Sequence, residues 1–521
     1  MRATPAVRAV PAARWARRVL PLPAGAVPAL AFPEPALWWL AYAALVPWLL
    51  LLRAAPTPRA AARAGWLGGT GFMVAMHHWL MPSLHVFIVL LAALLGLLWL
   101  PWGWLVHRLL AGAPAGGRFA AAVVLVPSGW LLAELIRSWE YLGGPWGLLG
   151  ASQWQVTPAL RLASVGGVWL VSFVVVAVNT ALAALLAVPR ARRAAAVAVL
   201  ATAVSTCAVW LWAPRPHPAG ATRVAVVQIG ETSSRAERFA RGEELTRRLA
   251  DRRPDLVVWG ESSVGYDLRS HPSLVRRLAA LSRAAHAPLL VNVDSPRSDR
   301  PGIFKSAVLV DGDGLTGQRY DKMRLVPFGE YVPFRSVLGW ATSVGRAAGE
   351  DRQRGREPVV MRSGGARFGP LICFETAFPD MSRHLAAEGA RVLVAQSSTS
   401  TFQHSWAPEQ HASLAALRAA ETGRPMVHAT LTGVSASFGP EGEQVAGRMD
   451  TATSAATLTE VPLARGTTLY VRFGDWTTRL ALTALAGYLA IEAARAVRSR
   501  RGRQQDRDED ASPGLSVPAR W

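Results

Sequence analysis

Hydrophobic residues are unevenly spread along this chain. Between about residues 19 and 214 long apolar runs are broken by few charges. From 215 to about 474 apolar and charged positions alternate over short distances, and one apolar run then returns. Runs at 36–52, 65–80, 86–110, 119–136, 168–188, 194–212 and 476–494 are long enough for membrane helices, and 19–32, interrupted by Pro21, Pro23 and Pro28, adds a weaker one. That makes about eight spans at a minimum of roughly 17 residues each. The central stretch reads differently. Short β-branched runs at 223–228, 256–259, 289–293, 306–310, 370–374, 392–395 and 426–430 are separated by helical stretches, among them 273–287, 380–388 and 408–421. Strand and helix in alternation predict an α/β unit with a central sheet, richer in hairpins than a doubly wound fold. The expected division is a membrane part at 1–213 with about seven helices, an α/β part at 214–475, a membrane helix at 476–494, and a basic, unstructured tail at 495–521.

Charge refines this picture. The net charge of +21 first suggests nucleic acid. Its placement argues otherwise, because Arg2, Arg8, Arg14, Arg17 and Arg18 precede the first run, and Arg495, Arg498, Arg500, Arg501 and Arg503 follow the last. Arginine beside membrane spans is a topological signal, and alternate loops carry it: Arg53, Arg59 and Arg63, then His107, Arg108 and Arg118, then Arg190, Arg192 and Arg193. Both termini are thereby expected in the cytoplasm and the α/β part on the outer side of a multi-pass cell-membrane protein. No nucleic-acid partner is expected.

The chain writes positive charge as arginine, since only Lys305 and Lys322 among its 56 basic residues are lysine. A position that keeps lysine can require a compact ammonium. Lys305, inside a strand pattern, reads as a stray; Lys322, in a motif-like loop, does not. The two cysteines, Cys207 and Cys373, predict no disulfide framework. Cys207 is expected as a small buried residue of a helix, which leaves Cys373 as a candidate nucleophile.

Three apolar strands end on groups with chemistry: Asp255 to Ser262 presents Glu261, Tyr320 to Pro333 presents Lys322 and Glu330, and Arg367 to Glu375 presents Cys373 followed by Glu375. Strand ends in α/β sheets open on the binding crevice, so these groups can converge. Singly, each has an ordinary alternative: a helix-start glutamate, a solvated lysine, an inert buried thiol. Converged, Glu261 could take the thiol proton, the thiolate could attack a carbonyl, and Lys322 with the backbone N–H of Phe374 could stabilise the oxyanion. His77, His78, His404 and His411 form no compact ligand set with carboxylates or cysteines, and read as interfacial or loop residues. No Gly-x-Ser-x-Gly elbow or phosphate-binding loop occurs, and neither metal nor cofactor is expected.

The motifs Trp259-Gly260-Glu261-Ser262, Tyr320-Asp321-Lys322 with Leu325-Val326-Pro327-Phe328-Gly329-Glu330-Tyr331-Val332-Pro333, and Cys373-Phe374-Glu375 resemble the nitrilase superfamily, and within it the apolipoprotein N-acyltransferase family. Pro145-Trp146-Gly147 and Arg418 to Pro425 extend the resemblance beyond the three strand ends. It implies an αββα sandwich beside a polytopic helical membrane domain, with a Glu261-Lys322-Cys373 triad supported by Glu330, Glu375 and Phe374. It also implies transfer of an acyl group from a phospholipid donor, through a Cys373 thioester, to a diacylglyceryl-lipoprotein acceptor. Tyr331 to Phe334 and Val337 to Trp340 would form a mobile arm reaching lipid. Gln228-Ile229-Gly230-Glu231, Ser397-Ser398 and Ser400 to His404 depart from the family pattern. A membrane-anchored nitrilase-type amidase and an inactive membrane scaffold of the same fold are the alternatives.

Overall fold

The computed structural model describes residues 18–114, 116–339 and 349–510. Arg2, Arg8, Arg14, Arg17, Trp340 and the last eleven residues, 511–521, lie outside them.

The first part is helical: α1 (Pro21–Ala26), α2 (Val46–Arg53), α3 (Pro58–His77), α4 (Phe87–Leu110), α5 (Gly116–Arg137), α6 (Thr157–Ala187) and α7 (Arg192–Trp212). Together with the closing helix, five helices are long and apolar enough to cross a membrane among the described residues. The runs at 36–52 and 65–80 are not among them, nor is that at 19–32. The last splits into α1 and a 3-10 turn at Val27–Ala31, an apolar stretch of 11 residues. At 1.5 Å per residue that reaches about half of a 30 Å hydrocarbon layer. The helices pack closely where side chains are small. A Cβ at Gly65 of α3 would sit 2.4 Å from the carbonyl oxygen of Trp99 on α4. Trp48, Trp99, Trp102 and Trp130 fill the centre of this part, with neighbouring ring centroids 4.9 to 6.0 Å apart. Cys207 faces outward on α7 and is exposed, not buried, because α7 packs mainly on α6.

The α/β part holds two sheets where the sequence predicts one. The six-stranded sheet has β1 (His217–Gln228), β2 (Leu256–Trp259), β3 (Leu289–Pro296), β4 (Ile303–Asp311), β5 (Gly314–Asp321) and β11 (Ala455–Arg465) in the order β11-β1-β2-β3-β4-β5. The five-stranded sheet has β6 (Met361–Ser363), β7 (Ala366–Ile372), β8 (Val392–Ser397), β9 (Met426–Thr430) and β10 (Ala436–Phe438) in the order β10-β9-β8-β7-β6.

The period-two alternation of the strands builds the layers. Ala225, Val227, Val257, Trp259, Leu289 and Val291 pack outward on Phe239 and Leu245 of α8 (Arg235–Arg247) and Leu278 and Leu281 of α9 (Pro272–Ala285). The alternate residues, Val224, Val226, Val258, Leu290 and Leu309, turn inward to a core shared with Ile372, Val394 and Val427 of the second sheet. Two helices, α10 (Pro379–Ala387) and α11 (Ala407–Thr422), cover that sheet. The result is αββα, as the family resemblance implies.

Several elements differ from expectation. The strands β5, β6, β10 and β11 are not predicted; they are short or carry Gly, Pro and polar residues, which edge positions tolerate. The hydrophilic α8 is missed too. In the other direction, the predicted strand at 370–374 ends at Ile372, and Cys373 already belongs to a 3-10 helix. The closing helix α12 runs from Trp476 to Asp510, through the region expected to be unstructured from 495. Its Arg, Gln and Glu residues are good helix formers, and Arg495 pairs with Glu492 at 2.9 Å.

The two parts are joined by more than chain connection. At Gly166 and Gly167, the latter at φ +70°, α6 breaks. The N–H of Val168 beyond the break donates to Glu421 of α11 at 2.7 Å. The indole of Trp476 donates to the Val165 carbonyl at 2.8 Å, and that of Trp169 to Asp475 at 3.1 Å. As a result α11 is enclosed between the second sheet and α6, and every residue of it except Glu409 is buried.

Candidate active site

Each candidate side chain stands where its strand stops. Glu261 follows β2 after Gly260, where a Cβ would lie 2.0 Å from the backbone nitrogen of Leu431, so no other residue fits without displacement. The Glu261 N–H donates to the Ser397 carbonyl at the end of β8, which also accepts from Leu431. Lys322 follows β5, its N–H donating to the Lys305 carbonyl at 2.8 Å. Glu330 closes the next turn and accepts the Val326 N–H at 2.8 Å on Oε2. Cys373 caps β7 at φ +52°, a left-handed conformation that costs a non-glycine residue about 1–3 kcal/mol and turns the thiol out of the strand direction.

These turns bring the groups together. Lys322 Nζ lies 2.8 Å from Glu330 Oε1 and 3.3 Å from Glu261 Oε1, and all three side chains are buried. Lys305 enters the same cluster, 2.8 Å from Glu261 Oε1 and 2.9 Å from Glu330 Oε1, so it is no stray. The Cys373 thiol points at the Ser398 carbonyl at 3.7 Å. The residue before, Ser397, accepts the Glu261 N–H at 3.1 Å, so the thiol and the Glu261 turn meet at the same end of β8.

Burial, then the Glu261 charge, pushes the thiol up to about 12, against the opposing pull of Lys322 and Lys305. Burial by itself would raise Glu261, but Lys305 and Lys322 carry it below the usual carboxylate range. Glu330 is brought down to about 2 by the same two lysines. At rest the cluster therefore holds a protonated thiol and an ionised carboxylate, the protonation states that a thiol nucleophile and its base require.

Glu375 does something different from pairing a charge. Its Oε1 accepts from the Tyr320 hydroxyl at 2.7 Å and from the N–H groups of Met323 and Arg324 at 2.7 and 3.0 Å, and its Oε2 from Ile372 at 2.8 Å. This carboxylate pins the Lys322 loop to the end of β7. Phe374 lies in the first turn of the 3-10 helix Cys373–Ala377, where amides have no partner within the helix. Its ring meets Phe378 edge-on at 5.0 Å.

The loop after α5 closes over these rings. A Cβ on Gly144 would lie 2.6 Å from the tip of Phe374 and 2.7 Å from that of Phe378. Trp146 donates to Gln410 at 2.8 Å and packs on His411 at 5.5 Å. His411, read as an interfacial or loop residue, is a buried residue of α11 whose Nε2 lies 3.0 Å from the Cys373 carbonyl oxygen. Burial holds its imidazole neutral, down to about 4, so that Nε2 donates to that carbonyl. Neither Lys305 nor His411 is singled out by sequence reasoning. The scarcity of lysine that marks Lys322 also applies to Lys305, and only the fold tells that the two meet.

The departures from the family pattern fall around this centre. Gln228 is buried and holds the carbonyls of Asp450 and Thr453 with its amide, while Ser398 supplies the carbonyl facing the thiol. In the arm region, Val332 and Pro333 are buried and Phe334 is exposed. Of Val337 to Trp340, Trp340 lies outside the described residues. A cavity of about 480 Å³, lined by Leu135, Trp139, Pro145, Trp169, Phe378 and Arg324 among others, opens on the far side of the Phe378 ring. Among the described residues no group of His, Cys, Asp and Glu could hold a metal ion.

Residues 223–469 match the carbon-nitrogen hydrolase family model, and residues 24–181 that of the apolipoprotein N-acyltransferase N-terminal domain. A protein of Azotobacter vinelandii named apolipoprotein N-acyltransferase is 33% identical over 97% of this chain and 98% of its own length. One of Geobacter metallireducens is 29% identical over 87% and 90%, and one of Pseudomonas aeruginosa 31% over 92% and 96%; both bear the same name. Among solved structures, an amidase from Nesterenkonia sp. is 18% identical, covering 48% of this chain and 92% of its own, with a TM-score of 0.34.

Proposed function

Because the chain belongs to the apolipoprotein N-acyltransferase family, we propose that Glu261, Lys322 and Cys373 carry out the family's reaction here, with a thioester on Cys373 as its intermediate. The protein is a membrane acyltransferase of lipoprotein maturation, with lipoprotein and phospholipid substrates. The relatives match over helices and α/β part alike, which leaves the amidase and inactive-scaffold alternatives without support.

The carrying observation is that the Glu261–Lys322 ion pair and the Cys373 thiol stand at three strand ends that adjoin at Ser397 and Ser398. The Glu261 carboxylate takes the Sγ proton as sulfur attacks the ester carbonyl of a phospholipid. Lys322 and the Phe374 N–H stabilise the oxyanion, each such donor being worth about 2.7–4 kcal/mol. The C–O bond then breaks, and the lysophospholipid leaves as an alcohol with the proton held by Glu261. The free α-amine of a diacylglyceryl-cysteine attacks the thioester, Glu261 takes the amine proton, and the C–S bond breaks. The proton passes to sulfur and restores the resting site. Glu330 orients Lys322, and Glu375 fixes the loop that carries it.

For placement, we take residues 1–213 and 476–494 as the membrane part of a multi-pass cell-membrane protein and 214–475 as the catalytic part on its extracytoplasmic side. The basic loops support this: Arg53 donates to the Gly112 carbonyl at 2.8 Å and Arg108 pairs with Glu492 at 2.8 Å, so three basic segments adjoin on one side, as cytoplasmic loops do.

Mass spectrometry of lipoprotein N-termini tests the function. Cells lacking the chain are expected to lose the N-linked acyl group alone, and unchanged N-termini would overturn the proposal. Incubation with phospholipid is expected to leave an acyl mass on Cys373 and none on Cys373→Ser.

A further inference from the structure

The two lysines of the sequence, one within β4 and one just after β5, reach the same pair of oxygens. Lys322 contacts Oε1 of Glu261 and Oε1 of Glu330 at 3.3 and 2.8 Å, and Lys305 contacts them at 2.8 and 2.9 Å. We propose that Lys305 is a positioning residue of the reaction, a second ammonium that keeps Glu261 and Glu330 ionised together and so holds Glu261 ready to take the thiol proton. This rests on the reading of Glu261 as the base.

Charge count in a closed space gives Lys305 this role. Glu261, Glu330 and Lys322 are each at most 5% exposed, so water does little to separate their charges. Two carboxylates sharing one cation repel, which raises the pKa of one member and favours a proton on it. A second cation touching both carboxylates removes that preference. Lys305 is also the more accessible of the two lysines, with 14% of its side chain exposed against none for Lys322. It forms the solvent side of the cluster, while Lys322 remains on the inner side.

The other charged neighbours do not supply this cation. Asp294, opposite Lys305 on β3, lies 3.9 Å from its Nζ and has Arg352 at 3.5 Å, so its own charge is met elsewhere. His411 is neutral, and Cys373 is a thiol at rest. Consistent with the geometry, both lysines lower Glu261 and Glu330, and both oppose the upward push on Cys373.

The test uses the full chain in detergent with Cys207→Ala as background, so that Cys373 is the sole thiol. Two profiles are read against pH: alkylation of Cys373 by iodoacetamide, and the rate of acyl-Cys373 formation from phospholipid vesicles. Lys305→Met is expected to slow alkylation at pH 8 tenfold or more. It should also move the acidic limb of thioester formation upward by a unit or more, with KM for phospholipid unchanged. Lys305→Arg, which keeps the charge, should hold the limb near its original position. Adding Glu330→Gln to Lys305→Met rebalances the site and should return the alkylation profile toward that of the parent.

An unmoved alkylation profile in Lys305→Met, or a shift that Glu330→Gln leaves in place, overturns the proposal. Should the Met variant not fold, Lys305→Gln provides the same comparison. The two readings fail separately. A shifted alkylation profile without any thioester keeps the role of Lys305 and removes that of Cys373 as acyl carrier. Thioester formation with an unmoved alkylation profile does the reverse.

Discussion

Replacement of Glu375 gives the most sharply graded prediction, because its four hydrogen bonds are all known. Glu375→Ala strands the Tyr320 hydroxyl and the amides of Met323, Arg324 and Ile372, in a place where the carboxylate itself is fully buried. A buried donor left unpaired costs about 1–3 kcal/mol. With roughly half of the loss recovered by water entering the vacated space, the total is about 4 kcal/mol, or a fall in Tm of about 10 °C for a unit of this size. Glu375→Gln should fall between, since its carbonyl can replace Oε1 while its NH₂ group confronts the Ile372 N–H, donor against donor, at about 1–3 kcal/mol. Tyr320→Phe loses one bond, about 1 kcal/mol. Thermal unfolding of the solubilised chain, followed by tryptophan fluorescence, should rank the melting points, from highest to lowest, as parent, Tyr320→Phe, Glu375→Gln and Glu375→Ala. Acyl-Cys373 formation should decline in the same order, because the loop that weakens is the one bearing Lys322. A Glu375→Ala protein that melts with the parent and acylates at its rate would refute the view of Glu375 as the pin between loop and strand.

Two further outcomes follow from the same geometry. Gly144→Ala places a methyl group within 2.6 Å of Phe374 at φ +68°, so the rings below must shift; we expect a destabilisation of about 1–3 kcal/mol and a slower acylation step, and parental values for both would separate this loop from the catalytic turn. Glu330, lowered from 4.5 to about 2 by Lys305 and Lys322 against the opposing effect of burial, contributes stability that is full above pH 4.5 and lost as pH falls toward 2. The Tm difference between the parent and Glu330→Gln should therefore narrow across that window, and a difference that grows on acidification would contradict the assignment.

The sequence reveals most where chemistry requires a rare residue at a strand end. Glu261 and Cys373 are visible because an apolar run delivers each of them, and the inner strands β2 and β9 are read to their boundaries for the same reason, whereas Lys322 is visible from the scarcity of lysine and its motif-like loop. What escapes notice depends on the third dimension. Lys305 sits in mid-strand, and only the pairing of β4 with β3 and β5 aims it at two carboxylates from elsewhere. His411 is hidden by its helix, whose burial on both sides comes from α6 and the second sheet and leaves no amphipathic trace. The strands β5 and β11 lack a hydrophobic signature since each borders its sheet on one side. The length of α12 is missed because dense charge reads as disorder, whereas arginine and glutamate spaced three apart also suit a helix.

The break at Gly166 and Gly167 has a mechanical consequence. A helix crossing a bilayer ordinarily keeps its amides to itself, yet here one of them is handed to a carboxylate of the α/β lobe, and the helix on the other flank of that lobe returns an indole to the same bend. The lobe therefore lacks a back wall of its own. Excised at residue 214 it would bare the face of α11 that carries Gln410 and Glu421, which makes the enzyme less a soluble catalyst on a tether than one shell cast in two materials.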